Sequence, residues 1–378
     1  TPKPAVSASP AAAQATPAAS PSADKPAATK SGLPAAATPA PTSSATPAAS
    51  PTPKVSKPII PSDDETPAET VAPAKSFAVY ISDSENHRII RLADMSGRGL
   101  LTLGTPGHGL GRLLSPEQIW VDSRARIYIA DKGNNRIVRI DDITGRGWVE
   151  MIGLTAPEGV ALNGKELIVS DTGKSRVLVY SEFGGKLLRT YEDPRMRRPG
   201  HLWIDEKGGL FVTCNQESGG KIVSISEPAD VSGVRWTFYE GNGLKGNGFS
   251  PSQVVTEKKR LWCADALGNR LIRCEDMQGR GPRILGSLGQ QMGRFYSPRG
   301  LAIDPQGGLY VADSGNDRIV FVPNNENASW QSFNGQSGEA EGLTLRAPAS
   351  VFVWSPAPPV PPDEPAEGDE KGKKKKNK

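Results

Sequence analysis

The sequence predicts an all-β chain: one six-bladed β-propeller of four-stranded antiparallel blades, flanked by disordered tails. Three observations lead there. One short unit recurs six times at a blade-sized period between residues 76 and 355. No amphipathic helix of ordinary length interrupts those units. The region also begins and ends on two incomplete units that complete each other.

The clearest copies of the unit are Ile127-Tyr-Ile-Ala-Asp131-Lys-Gly-Asn134-Asn-Arg136-Ile-Val and Leu309-Tyr-Val-Ala-Asp313-Ser-Gly-Asn316-Asp-Arg318-Ile-Val. Its anchor falls at Asp83, Asp131, Asp171, Asn215, Asp265 and Asp313, with spacings of 48, 40, 44, 50 and 48 residues. Each unit reads as a β-branched strand, an Asp/Gly/Asn turn and a second strand opened by arginine. An outer strand follows a Gly-rich bend, as after Gly97-Arg98-Gly99 and Gly145-Arg146-Gly147. A proline then leads an inner strand, as in Pro116-Glu-Gln-Ile-Trp-Val and Pro298-Arg-Gly-Leu-Ala-Ile. The last proline-led strand, Pro348 to Trp354, has no hairpin after it, and the first hairpin has no inner strand before it. The C-terminal strand is therefore expected to lie innermost in the first blade, paired with Phe77 to Ser82, so that no sheet edge stays open.

These pieces resemble the NHL-repeat family of β-propellers over roughly residues 76–355. They are the proline-led strand, the small apolar strand ending in Ala-Asp, and the Gly-Asn-x-Arg-Ile turn and strand. The resemblance implies the fold. It implies no single function, because the family and its relatives include protein-binding and RNA-binding domains, extracellular sensors, lyases and lactonases.

Residues 1–75 have a different composition. They hold 21 Ala and 16 Pro and no aromatic residue. Frequent proline breaks helix, and little apolar area is available to offset ordering, so a disordered, extended arm is expected. Residues 356–378 read as a second disordered tail, with an acidic block from Asp363 to Glu370 before the lysine-rich Lys371–Lys378. That basic end is a possible contact for an anionic surface. The chain starts Thr-Pro-Lys without Met, as a processed product would. The net charge is +4, from 45 Lys+Arg and 41 Asp+Glu, and the part between the tails is nearly neutral. A general nucleic-acid binder is not indicated. No stretch is apolar enough for a transmembrane segment. The three cysteines form no Cys-x-x-Cys pair. Cys263 and Cys274 flank one hairpin and read better as two buried thiols than as a disulfide.

The recurring Asp and Arg residues read as structural, since a reaction site does not need the same groups in every blade. The residues after each leading proline do not repeat, and they are expected to ring one mouth of the central channel. Glu117, Gln118, Glu158, His201, Gln253 and Arg299 are the candidate binding ring. No catalytic residue is assigned and no cofactor is expected. A calcium site at Glu117, Glu158 and Gln118 is the minor alternative. Of the three histidines, at 87, 108 and 201, only His201 falls in the ring, which argues against a zinc site. The sequence therefore favours a non-catalytic protein-binding or scaffold module on a flexible arm. It would act outside the cytoplasm on a protein or a surface polymer. A hydrolase or lyase acting at the channel mouth is the second reading. An RNA-binding propeller using Arg124, Arg126 and Arg195-Met-Arg197-Arg198 is the third.

Overall fold

A computed structural model describes residues 77–356, except 216–218, 228–232, 243, 245–247, 259, 325–328 and 337–339. The expected arm and nearly all of the C-terminal tail lie outside the described residues. Six four-stranded antiparallel sheets follow one another around a ring. The second blade is typical: Pro116–Val121 innermost, then Ile127–Asp131, Arg136–Ile140 and Val149–Met151. A two-stranded parallel pair, Thr105–Pro106 with Arg112–Leu113, decorates the loop that leads into it.

Closure follows the expected pairing. Pro348–Trp354 pairs antiparallel with Ala78–Asp83, with Val79 opposite Val353 and Ile81 opposite Val351. The first blade thus draws its inner strand from one end of the ring and its other three from the opposite end.

The period-2 alternation of each strand explains why the blades pack. In the first blade Val79 and Ile81 face the sixth blade, where they join Tyr310, Ala312 and Phe333. Ala78 and Tyr80 face the other way and join Ile119, Ile127 and Ile129 of the second. The same split recurs around the ring, giving one apolar cluster at each junction between neighbouring blades. Cys214 belongs to one of these clusters, and Cys263 and Cys274 share another. All three thiols are buried and free. Cys263 lies opposite Ile272 and Cys274 opposite Leu261, so the two are offset diagonally across the hairpin. Burial pushes the Cys214 thiol up to about 12 and raises that of Cys263 well above its ordinary value, so both stay protonated.

Polar bonds fix the face on which the hairpins turn. The anchor carboxylates Asp83, Asp131, Asp171, Asp265 and Asp313 are fully buried. One oxygen of each accepts from the following arginine Nε at 2.7–2.9 Å. The other accepts a backbone N–H just ahead of the same blade's inner strand, from Arg346, Leu114, Thr155, Ser250 and Tyr296 respectively. A second bond joins neighbours. In five of the hairpins the left-handed residue at the end, for instance Asn135 or Asn269, accepts the N–H of the residue before the next blade's proline, Ala156 or Ser297. His87 does this through Nδ1 to Ser115, and Asp317 does it to Ala347. These pre-proline residues are themselves left-handed, with φ of 45° at Ala156 and 50° at Ser297. That conformation costs about 1–2 kcal/mol for a residue with a Cβ, and the bonds hold it in place.

Two truncations separate closure from tail. Deleting residues 348–378 removes the inner strand of the first blade and uncovers two apolar clusters, so equilibrium denaturation should show a loss of at least about 4 kcal/mol. Deleting only 361–378 should leave the midpoint unchanged. Equal midpoints for the two would contradict the closure.

Candidate functional site at the channel mouth

The hairpins and leading prolines share one face, and the expected ring residues meet there. Glu117, at the head of the second blade's inner strand, is 3% exposed. Its Oε2 accepts from Arg299 of the sixth blade at 2.8 Å, and its Oε1 from Lys132 Nζ at 3.2 Å. Lys132 also reaches Glu158 of the third blade at 2.8 Å. Two carboxylates and two cations from three blades thus neutralise one another over the axis.

The electrostatics follow from this packing. Burial opposes ionisation of Glu117, but the charges of Arg299 and Lys132 overcome it and hold the carboxyl far below the usual carboxylate range. The Glu117 carboxylate in turn raises the Arg299 guanidinium. Burial works against the Lys132 ammonium, and Glu117 and Glu158 outweigh it, so its pKa lies above that of an ordinary lysine. Glu117 is a poor base in this setting, and Lys132 is not a nucleophile.

His201 and Gln253 form the next contact. His201 Nδ1 lies 2.7 Å from Gln253 Oε1, and Gln253 Nε2 donates to the Val254 carbonyl. That amide orientation puts the imidazole hydrogen on Nδ1. Nε2 of His201 is buried without a hydrogen-bond partner among the described residues, 3.7 Å from Glu117 Oε2. It is the ring atom with unused bonding capacity.

Gln118 departs from the expected ring. It turns beneath it and clamps backbone: Oε1 accepts from Val160 and Leu202 N–H at 3.1 and 2.8 Å, and Nε2 donates to the Leu202 carbonyl at 2.6 Å. This bridge spans from the second blade to the fourth. Below it, Trp120 packs at 5.3 Å from Phe352 and 5.9 Å from Trp203, again across blades. The mouth on the hairpin face is therefore closed by ionic, amide and aromatic contacts in turn.

This arrangement does not suit the calcium alternative. The space between Glu117 and Glu158 is taken by an ammonium group, and Gln118 turns its oxygen to backbone N–H groups. Among the described residues, no group of three or more His, Cys, Asp or Glu side chains is placed to hold a metal ion. His87 and His108 stay away from the ring, His87 as the hairpin acceptor already described.

The family model for the NHL repeat matches residues 295–320, the inner strand, second strand and hairpin of the sixth blade. The sixth blade thus carries an NHL repeat, within a six-bladed β-propeller. No curated protein sequence matches it. Solved structures similar to it include a nidogen/laminin complex, at 16% identity over 73% of this chain and 98% of that one, with a TM-score of 0.56. A streptogramin B lyase is similar at 16% identity over 74% of this chain and 86% of that one, with a TM-score of 0.51. At such identities the likeness is one of fold.

Sequence reasoning missed Lys132 as a ring member. The signal lay within the NHL repeat itself. After the anchor aspartate, other hairpins carry Ser84, Thr172, Ala266 and Ser314, and only the second blade has lysine there. Thr172 and Ser314 donate to the proline carbonyl of the next blade, at Pro199 and Pro348. Lys132 gives up that role and reaches the axis.

The ring's stability should depend on pH through Glu117. Its folded carboxyl titrates below the unfolded one, so its contribution is complete above about pH 4.3 and fades as the pH falls through the folded value. Glu117→Gln should cost about 3 kcal/mol near neutral pH, because it leaves Arg299 and Lys132 undercompensated. In equilibrium denaturation the gap between the native chain and E117Q should narrow as the pH drops below about 4. A gap that stays constant with pH would contradict the ionised assignment.

Proposed function

We propose that this propeller is a non-catalytic recognition or scaffold module. A protein is the favoured partner and a surface polymer the second. Residues 1–75 would serve as a tether and place the module outside the cytoplasm; the proline- and alanine-rich composition of that segment supports this part.

The observation that carries the reading is a set of exposed apolar side chains on the loops of the hairpin face. Leu267 is 62% exposed, Leu288 59% and Tyr296 50%, and Leu110 stands out on the opposite side of that face. Asn269 bonds Ser297 N–H, which brings the fifth blade's hairpin beside Tyr296, and Leu288 bridges to Phe295 in the same loop. Apolar groups gathered in this way around a polar centre suit a protein interface. In the centre itself the carboxylates and cations are committed to one another.

The hydrolase or lyase reading would rest on His201 Nε2, which has no hydrogen-bond partner among the described residues. The RNA reading would rest on Arg124, Arg126, Arg195, Arg197 and Arg198; of these Arg126 and Arg195 are already paired with Asp122 and Asp193, and the arginines of the Gly-Arg-Gly turns, Arg98, Arg146 and Arg280, each pair with the aspartate four residues before them. The nidogen/laminin complex is a case of a similar fold in a protein assembly, and the likeness extends to fold alone.

The test is mild co-purification of the full chain from its native source, beside a Leu288→Asp/Tyr296→Asp double variant. A stoichiometric partner retained by the native chain and lost by the variant is the expected result. A partner held equally by both, or none at stoichiometric level, would contradict the reading.

A further inference from the structure

A second site lies on the flank of the ring, between the fifth and sixth blades. A groove of about 400 Å³ opens there, walled by Trp262, Ile284 and Leu285 on one side and by Leu309, Val322 and Trp330 on the other. Trp262 and Trp330 are half-buried against the same apolar cluster, and each turns its remaining surface to the groove.

Two features of this groove are unbalanced. The first is a pair of like charges. Trp262, Arg273 and Arg283 stand opposite one another on three adjacent strands, so they form one row across the fifth blade. Arg273 lies over the Trp262 ring, 5.7 Å from its centroid. Arginines directly opposite on neighbouring strands repel. In the first and second blades Leu101 and Val149 occupy the position of Arg283, beside Arg91 and Arg139. Among the described residues, neither Arg273 nor Arg283 has a carboxylate partner, in contrast to the turn arginines. The second feature is a donor. Nε1 of Trp262 is buried and has no hydrogen-bond partner among the described residues, whereas a buried indole N–H usually finds one.

We propose that this groove binds a partner polypeptide through a carboxylate side chain set beside an apolar one. The guanidinium pair takes the carboxylate, a geometry suited to forked, charge-assisted hydrogen bonds. Leu309, Val322 and Trp330 cover the apolar neighbour. An acidic saccharide meets the charge requirement but not the rest: its many hydroxyls would face apolar walls with Asn324 as the one side-chain amide among the lining residues. The site is separate from the channel mouth, so its failure would leave the recognition reading of that face standing.

The experiment is a titration of the full chain with N-acetyl-Leu-Glu-Leu-amide, followed by the indole N–H resonance of Trp262, which Trp262→Phe assigns. A saturable shift is expected with this peptide, and none with the Gln analogue at the same concentrations. Arg283 is exposed, so Arg283→Gln should fold normally and weaken binding about tenfold. Raised salt should weaken it as well. No saturable shift, an equal response to the Gln analogue, or unchanged binding by R283Q would overturn the proposal. A saturable shift with glucuronate and none with the peptide would overturn it in favour of a saccharide site.

Discussion

The fold depends on one buried carboxylate repeated around the ring. Each anchor aspartate sits at the end of a second strand, where the chain must turn, and does two jobs there. It pins the arginine that opens the third strand, and it holds the N–H of the segment about to become the blade's inner strand. Such a charge is costly to bury unless its oxygens are satisfied, and the arrangement satisfies both. The blade's two most central strands are thereby fixed at one corner before any apolar packing is counted. Asn215 takes the anchor place in the fourth blade, where Ser250 lies within hydrogen-bonding distance of its side-chain oxygen.

Fixing the corners fixes the mouth. The residue after each leading proline follows directly from a pinned segment, so its position near the axis is set by the frame, while its identity is free to vary. In this chain that freedom yields Glu117, Glu158 and Arg299, with Lys132 added from a hairpin. The result is an ionic cap beside the amide and aromatic contacts of Gln118 and Trp120. Apolar and cationic groups remain uncommitted on the loops around the cap and on the flank.

The architecture was legible in the sequence because a repeat states its own period. The spacing of the anchor aspartates gave the blade count, and the unpaired Pro348–Trp354 strand gave the closure. Glu117, Glu158, His201, Gln253 and Arg299 were all placed near the axis by their offset from proline, and they do meet there or touch one another. Gln118 shares the offset of His201 and Gln253, but its amide is spent on the backbone of Val160 and Leu202. Lys132 was overlooked because it belongs to a hairpin whose other copies are structural. The flank groove was illegible because it joins strands of two blades. The opposition of Arg273 and Arg283 depends on register, which a one-dimensional pattern does not display.

The most direct measurement is native-state amide exchange at Leu114, Thr155, Ser250, Tyr296 and Arg346. These N–H groups lie outside the strand ladders, and each is held by an anchor carboxylate. If the carboxylates fix the frame, all five should exchange as slowly as amides in the middle strands of their blades. Exchange at the rate of open surface loops would contradict that claim.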